Sequence, residues 1–205
     1  MAKFTHLHVH SQYSILDGMA SISQLIEKSV SLGMYNLALT DHGNMFGIKE
    51  FAQEADKYNK NISEKIKENE EKIVKLQEQI AALEPETEER KNAEAEKVGL
   101  EEKVAELKTQ FFKPIFGCEA YVTRITESNP EGDRRLITGK KGDARGYHLI
   151  LLAKNKTGYY NLCQMVSKGW TEGFYGCARI DRELLEKHSE GIICASACLG
   201  GEIHK

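Results

Sequence analysis

The chain has 205 residues, of which 40% are hydrophobic and 29% are charged, and its formal net charge at pH 7 is -3. This composition is typical of a globular protein, and the length allows one sizeable core or a core with an appendage. The small net charge excludes a basic field over the whole surface, so any contact with nucleic acid must be local or made by a part of the protein outside this chain.

The first predicted element is a short strand over residues 4–9. Three alternating histidines, His6, His8 and His10, lie in this strand and directly after it. Side chains alternate along a strand, so these three imidazoles leave the same face. Three imidazoles on one face have no ordinary packing role, and they are natural ligands for zinc, manganese or iron. His6 lies deeper along the strand, where a core hydrogen bond suits it better than ligation. A polar loop that contains Asp17 follows.

The next segment predicts a second strand and its polar loop. Ser21 or Ser23 can cap a helix that ends at Gly33, and residues 36–40 form a predicted buried strand. That strand ends in the polar loop 41–44, Asp-His-Gly-Asn. Two successive strand–loop–helix units favour a parallel α/β architecture.

The polar residues of these two loops are expected to meet. In α/β folds the active site collects at the carboxyl ends of the strands. The ligand-type residues in the first two such loops are His8, His10, Asp17, Asp41 and His42. This coincidence of topology and chemistry predicts a metal site, although Asp41 could instead cap a helix or brace its loop.

The composition changes from about Lys57 to Gln110, where Glu, Lys, Gln and Ala dominate. Apolar residues recur at heptad spacing before Pro85, which should break the helix, and a second apolar stripe runs from Leu100 to Phe111. We predict an antiparallel helical hairpin inserted into the domain. A solvated arm is the simpler interpretation, and an arm that docks a partner is the alternative.

The α/β pattern resumes in a predicted strand over residues 113–122, which contains Glu119. Residues 123–146 are rich in charge and glycine, and they predict a mobile loop or an exposed hairpin. The basic residues of this segment include Arg134, Arg135, Lys140, Lys141 and Arg145. They could contact phosphates, but solvated loop charge is the usual explanation for such a run.

Four further elements are predicted in the last third of the chain. A buried strand covers residues 148–153, and a helix follows from about residue 157 to 169. Residues 180–185 predict a short capped helix, and residues 191–196 predict the last strand.

Glu119, His148 and Cys198 place a carboxylate, an imidazole and a thiol at presumed strand ends, and all three are ligand types for divalent metals. Each also has a simpler explanation. Glu119 could pair with a lysine, His148 could be a polar strand end, and Cys198 could be a small buried hydrophobe. Such explanations are weakest for the alternating pair His8 and His10. Several of these groups around one cavity could hold two or three ions that activate water and clamp phosphoryl oxygens.

The five cysteines show no close CxxC pairing, and no signal peptide precedes the first predicted strand. We therefore expect reduced thiols and a cytoplasmic protein. No apolar run is long enough to span a bilayer, so we expect no membrane partner.

Five motifs in this order resemble a known family. They are His8-Val9-His10-Ser11 with Leu16-Asp17-Gly18, the segment from Leu39 to Gly47, the segment from Gly117 to Tyr121, the segment from His148 to Asn155, and the segment from Ser196 to Glu202. Together they resemble the polymerase-and-histidinol-phosphatase (PHP) domain, in the version that opens the alpha subunit of bacterial DNA polymerase III. The resemblance covers both flanks of the predicted helical arm.

The resemblance implies a distorted (β/α)7 TIM-like barrel, with residues 1–56 and 111–205 as its two parts and residues 57–110 as an inserted arm. The implied metal ligands are His8, His10, Asp17, His42, Glu119, His148 and Cys198, with Glu119 as the bridging carboxylate. The family completes its cluster with an Asp-x-His pair, which does not occur before Lys205. We therefore expect a partial barrel that lacks its last portion.

The resemblance also implies metal-dependent phosphoester hydrolysis, and in polymerase-associated members a 3′–5′ proofreading exonuclease. Asp41 would serve catalysis by orienting a ligand imidazole or the attacking water. Zinc is the favoured ion, with manganese or iron as alternatives. The full-length protein would be a DNA-directed DNA polymerase, a nucleotidyltransferase of DNA replication, that meets DNA and other replicase subunits. The alternatives are an inert module that docks partners around a structural metal, and a small-molecule phosphatase resembling histidinol phosphatase.

Overall fold

The computed structural model describes residues 4–15 and 17–204. Leu16 of the first motif and the predicted end at Lys205 lie outside these residues. The described residues form two compact units: one runs up to Ala52 and resumes at Pro114, and the other is Gln53–Lys113. The functional residues predicted from the sequence all belong to the first unit.

Helix α1 covers Ile22–Ser31 and begins where the sequence predicts. The Ser21 hydroxyl accepts a hydrogen bond from the Gln24 backbone N–H at 3.3 Å, and the Gln24 side chain accepts one from the Ser21 N–H at 3.0 Å. This reciprocal capping box satisfies two backbone donors at the start of the helix. The chain reverses after the helix at Gly33, whose φ of 73° lies in the left-handed region.

The predicted first strand is present as an extended segment alongside strand β1, Asn36–Leu39. The Ala38 N–H donates to the His6 carbonyl at 3.0 Å, and the Thr40 N–H donates to the Val9 carbonyl at 2.8 Å. The core hydrogen bond predicted for His6 is wrong, because the residue is exposed and its ring packs edge-on against Phe4.

The described residues of the first unit contain a mixed sheet of six strands rather than a parallel one. After β1 the strands are β2 (Lys113–Val122), β3 (Tyr147–Ala153), β4 (Phe174–Tyr175), β5 (Cys177–Ile180) and β6 (Ile192–Ala195). Their order is β4-β5-β2-β3-β6, and β1 pairs with β2. Strand β3 is antiparallel to β2 and to β6, whereas β5 is parallel to β2. The parallel expectation is wrong because no helix separates β2 from β3, and a parallel return needs a crossover connection. Within the described residues the sheet is open.

His148 lies near the start of β3, yet it reaches the sheet edge at which β2 ends, because β3 runs antiparallel to β2. Tyr121 pairs with His148, and Glu119 pairs with Ile150, so β3 begins where β2 ends. Strand β6 runs antiparallel to β3, with Ala195 opposite Ile150, so β6 ends at this edge as well. The segment after β6 therefore leaves from the edge at which β2 ends and β3 begins.

Helix α4, Lys156–Glu172, covers one face of the sheet. Alternate residues of β2 from Cys118 to Val122 pack with Leu162 of α4 in a buried apolar cluster. Burying one such side chain contributes about 1.5–3 kcal/mol. Because side chains alternate along a strand, Glu119 lies on the opposite face from this cluster.

The connection at residues 123–146 folds back onto the unit and is not an exposed hairpin. Arg179 of β5 is 1% exposed, and its guanidinium donates to the carbonyl oxygens of Asp143 at 2.9 Å and Arg134 at 2.7 Å. Arg134 is 4% exposed, and its Nη1 lies 2.8 Å from Asp181 Oδ2. The solvated charge predicted for this segment is therefore wrong at Arg134, whose burial is compensated by an ion pair. Asp181 also caps helix α5, Arg182–Lys187.

The second unit consists mainly of helices α2, Ile48–Ala82, and α3, Glu88–Lys108. Helix α2 ends before Pro85, as the sequence predicts, and Thr87 caps α3 by accepting a hydrogen bond from a backbone N–H. The residues Ile62, Ile66, Val104 and Leu107 form a buried apolar cluster between these helices. Among the described residues, no helix combines the length and apolarity that a membrane span requires.

Candidate metal centre

The ligand-type side chains predicted from the sequence converge on Glu119, a fully buried carboxylate of β2. Its Oε2 lies 2.8 Å from His8 Nε2 and 2.7 Å from His10 Nε2. Its Oε1 lies 2.7 Å from His148 Nδ1. One carboxylate therefore joins imidazoles from the extended N-terminal segment and from strand β3.

His42 and Asp17 extend the cluster on the side of His10. The Oδ2 atom of Asp17 lies 2.6 Å from His42 Nε2 and 3.3 Å from His10 Nδ1. The other ring nitrogen, His42 Nδ1, is 3.1 Å from Glu119 Oε2, but the two atoms lack hydrogen-bonding geometry. This nitrogen is buried and has no hydrogen-bond partner within residues 4–15 and 17–204. A cation between the ring and the carboxylate would satisfy both groups.

Cys198 follows β6 and contributes a thiol to the same cluster. Its Sγ lies 3.4 Å from His148 Nδ1 and 3.6 Å from Glu119 Oε1. The Gly200 N–H donates to this sulfur at 3.4 Å. A Cβ atom at Gly200 would lie 3.0 Å from the His148 ring, so a glycine permits this close approach.

Among the described residues, the ligand-type side chains form three overlapping groups, and within each group the ligand atoms lie within 4.8 Å of one another. These groups are His8 with His10 and Glu119, His10 with Asp17 and His42, and His42 with Glu119 and His148. Shared members are typical of sites in which neighbouring ions use common ligands. Imidazole and carboxylate donors at this density fit a divalent ion such as zinc, manganese or iron.

The cluster also determines the charge state of its central carboxylate. Burial alone would raise the pKa of Glu119, but hydrogen bonds with His10 and His8 and the nearby His42 lower that pKa to about 2. The hydrogen bond with Glu119 raises the pKa of His10, against the opposing effect of burial. Glu119 is therefore negatively charged at neutral pH and suited to neutralise a cation.

Asp41, predicted as a catalytic residue, is 2% exposed and contacts the first loop. Its Oδ1 accepts hydrogen bonds from the Ser11 N–H at 2.6 Å and from the Ser14 hydroxyl at 3.0 Å, and its Oδ2 accepts one from the Ser11 hydroxyl at 2.9 Å. The Ser14 hydroxyl in turn accepts a hydrogen bond from the His42 N–H at 3.0 Å. These contacts brace the loop that leads from His10 to Asp17, and the catalytic role stays a prediction.

Two aromatic residues of the site were not predicted. The Tyr121 ring stacks on His42 with a centroid distance of 5.8 Å, and burial raises its pKa to about 12. The strand alternation that places Glu119 on this face also places Tyr121 there, so the pattern could have found it. Trp170 of α4 donates from Nε1 to the Gly43 carbonyl at 2.9 Å, and no local sequence pattern indicates this contact.

Comparison with known proteins places these features in a family. Residues 6–205 match the PHP domain. The DNA polymerase III subunit alpha of Borreliella burgdorferi is 38% identical over 98% of this chain and 12% of its own length. The Treponema pallidum protein of the same name shows the same identity and coverage, and that of Thermus aquaticus is 36% identical over 98% of this chain and 12% of its own length. The chain therefore spans only about an eighth of these curated relatives.

Proposed function

The chain belongs to the PHP domain family, and on this premise we propose that it is the N-terminal PHP domain of a bacterial DNA polymerase III alpha subunit and has a metal-dependent phosphoesterase site. The names of the relatives support this assignment. The full-length protein would then be a nucleotidyltransferase of DNA replication that works in the cytoplasm with DNA and other replicase subunits. The reaction proposed for the PHP site is 3′–5′ exonucleolytic hydrolysis of DNA.

The observation that carries the proposal is the convergence of imidazoles from separate segments on Glu119. The residues that would hold the ions are His8, His10, Asp17, His42, Glu119, His148 and Cys198. Bound divalent ions would activate water and stabilise charge on the attacking and leaving oxygens of a phosphoester. Zinc is favoured because imidazoles and a thiol occur together, and manganese and iron are the alternatives.

The chain's own residues prepare this site in distinct ways. Glu119 is ionised at neutral pH because its hydrogen bonds with histidines hold its pKa at about 2 despite burial. Tyr121 carries its phenolic proton at neutral pH, as tyrosines ordinarily do, and burial raises its pKa further, to about 12, so it can donate a hydrogen bond to a phosphoryl oxygen. Asp41 acts as a positioning residue through its hydrogen bonds with Ser11 and Ser14.

The proposal extends to the architecture. The open sheet of the first unit would be part of the distorted (β/α)7 barrel of the family, formed by residues 1–56 and 111–205. Residues 57–110 would be an inserted antiparallel helical hairpin, which the two helices separated by Pro85 support.

The test uses the full-length protein and a single-stranded DNA labelled so that loss of its 3′ nucleotide is measured. We expect hydrolysis that EDTA abolishes and that the double variant His8→Ala/His10→Ala loses. The matched control is His6→Ala, because His6 lies in the same segment but is exposed and outside the cluster. Tight metal binding without hydrolysis of DNA would favour the structural module, and hydrolysis of a small phosphomonoester instead of DNA would favour the small-molecule phosphatase.

A further inference from the structure

We propose that a basic cavity beside the metal centre binds a second phosphate of the substrate, so that the site takes a DNA strand rather than a lone phosphomonoester. The residues of this basic cavity that matter here are Tyr121, Arg124, Lys141, Arg145, His148 and Gly200. The inference rests on the proposed function and specifies its substrate class.

The basic cavity is continuous with the cluster. His148 lines the cavity and at the same time places its Nδ1 2.7 Å from Glu119 Oε1. Tyr121 also lines it, and its ring lies 5.1 Å from that of His148. The volume of about 590 Å³ lies in the range of small-molecule sites and exceeds what a bare phosphate needs. A group of nucleotide size can therefore extend from the cluster into the cavity.

The charge of the basic cavity has one sign. Arg124, Lys141 and Arg145 line it, and none of its lining residues in the described part of the chain is acidic. These cations make no ion pair with any described carboxylate, whereas Arg134 and Arg135 of the same connection are both paired. Like charges in a cleft focus the electrostatic potential and attract an anion. A bound phosphate would therefore supply the negative charge that the described lining of the basic cavity lacks.

Arg124 is positioned in advance for such a contact. Its guanidinium lies 4.7 Å from the centroid of the Tyr147 ring, and Tyr147 pairs with Val122 at the end of β2. The Arg124 Nε atom is buried and has no hydrogen-bond partner in the part of the chain that the structure describes. A planar guanidinium that is held on an aromatic ring keeps its fork of donors free for a phosphate.

The segment that carries Lys141 and Arg145 is fixed by the residue between them. The Asp143 carbonyl accepts a hydrogen bond from the buried Arg179 at 2.9 Å, and the Asp143 carboxylate accepts one from the Ser128 hydroxyl at 2.7 Å. The two cations therefore extend from an anchored turn. Anchoring lowers the conformational entropy that is lost when a ligand is bound.

The geometry distinguishes two kinds of substrate. A phosphomonoester places its only phosphate at the cluster and leaves the three cations without a ligand. A DNA strand with its scissile phosphate at the cluster carries another phosphate one nucleotide away, and the basic cavity adjoins the cluster. The cations consequently select for a polynucleotide.

The test combines Arg124→Gln, Lys141→Gln and Arg145→Gln in the full-length protein. Two substrates are compared, a trideoxynucleotide and bis(p-nitrophenyl) phosphate, which has a single phosphate. We expect KM for the trideoxynucleotide to rise about tenfold or more, since charge-assisted hydrogen bonds are removed, while hydrolysis of the aryl ester is unchanged. The slope of log(kcat/KM) against log[salt] should become shallower by about 0.7 for each phosphate that is no longer neutralised. The matched control is Arg135→Gln, an exposed arginine of the same connection that pairs with Asp133.

Two further measurements distinguish a failure of the proposed hydrolysis from a failure of the inference about the basic cavity. Binding of a labelled trideoxynucleotide is measured by anisotropy in EDTA, and the triple variant should bind about tenfold more weakly than the wild type. If the wild type hydrolyses neither substrate, the proposed hydrolysis fails and this binding difference still decides the role of the basic cavity. The exposed-site variant Lys141→Glu/Arg145→Glu repeats the binding test if the triple variant melts early. Unchanged binding and KM, or equal losses for both substrates, would overturn the inference.

Discussion

His8 Nε2 lies 2.8 Å from Glu119 Oε2, although 111 positions separate the two residues in the sequence. The contact forms because the N-terminal segment runs beside β1, and β1 pairs with the strand that carries Glu119. The alternation of histidines in the sequence indicates His8 as a ligand, whereas only the tertiary structure brings Glu119 next to it. The site therefore depends on the stability of the surrounding fold as well as on its ligand-type residues.

Replacing Asp41 by Asn should lower the free energy of unfolding by about 1–3 kcal/mol. The carboxylate accepts three hydrogen bonds from Ser11 and Ser14, and an amide offers one acceptor oxygen and adds two donors that find no partner there. Urea unfolding measures the change. Asp56→Asn is the control because Asp56 is exposed, and its effect should stay within about 0.5 kcal/mol. Equal stability of the two variants would show that the brace is unimportant.

Replacing Arg134 by Met should lower the free energy of unfolding by about 3–5 kcal/mol, because Asp181 would remain as a buried carboxylate without its partner. The matched control is Arg135→Gln, whose side chain is 54% exposed and whose loss should be below about 1 kcal/mol. Chemical denaturation of both variants gives the comparison. A loss for Arg134→Met no larger than that of the control would contradict the structural role of this ion pair.

The stability that Glu172 contributes should decline in acid. Its hydrogen bond with Arg134 lowers the pKa of Glu172 from the ordinary value of 4.5, against an opposing effect of burial. The unfolded state then binds the proton more readily, so the contribution is present above pH 4.5 and is lost as the pH falls through the lowered pKa. Unfolding measured against pH should show a weaker acid dependence in Glu172→Gln. An identical slope in both proteins would argue against the linkage.

Replacing Ile62 by Ala should destabilise the helices of the second unit by about 2–5 kcal/mol, because the side chain is 3% exposed within its apolar cluster. Circular dichroism during heating should show helix loss at a lower temperature, while zinc affinity is unchanged. Val98→Ala is the control, since Val98 is 52% exposed. A parallel loss of zinc affinity would contradict the proposed division into a barrel and an inserted arm.

Local features of the fold were predictable from the sequence. The start of α1 directly after Ser21 and the end of α2 before Pro85 depend on capping and on proline, which act within one helical turn. The direction of β3 and the burial of Arg134 depend on contacts with distant residues, and the sequence-based expectation was wrong on both. Strand β5, Cys177–Ile180, was missed because four residues are too few to show periodicity.

In the candidate site, too, some features could be predicted from local sequence and others depend on contacts between distant residues. The alternation of His8 and His10 indicated ligand chemistry by itself, because both face one side of an extended segment. Glu119, His148 and Cys198 had ordinary explanations one by one. Their positions at presumed strand ends suggested a shared site, and the family resemblance implied that all three are metal ligands. The sequence could not show that Arg124 makes no ion pair with a described carboxylate while Arg134 and Arg135 do, because ion pairing in this connection depends on how the connection folds.

The most direct measurement is a zinc titration of the wild type, of Glu119→Gln and of Glu127→Gln, an exposed glutamate that serves as the control. Glu119 contacts His8, His10 and His148, so its charge should matter for every ion of the cluster. We predict that Glu119→Gln loses at least about 10- to 100-fold in zinc affinity, which is the loss typical when a residue that hydrogen-bonds metal ligands is replaced. Glu127→Gln should bind zinc as the wild type does. Equal zinc affinity in all three proteins would contradict a metal centre built on Glu119.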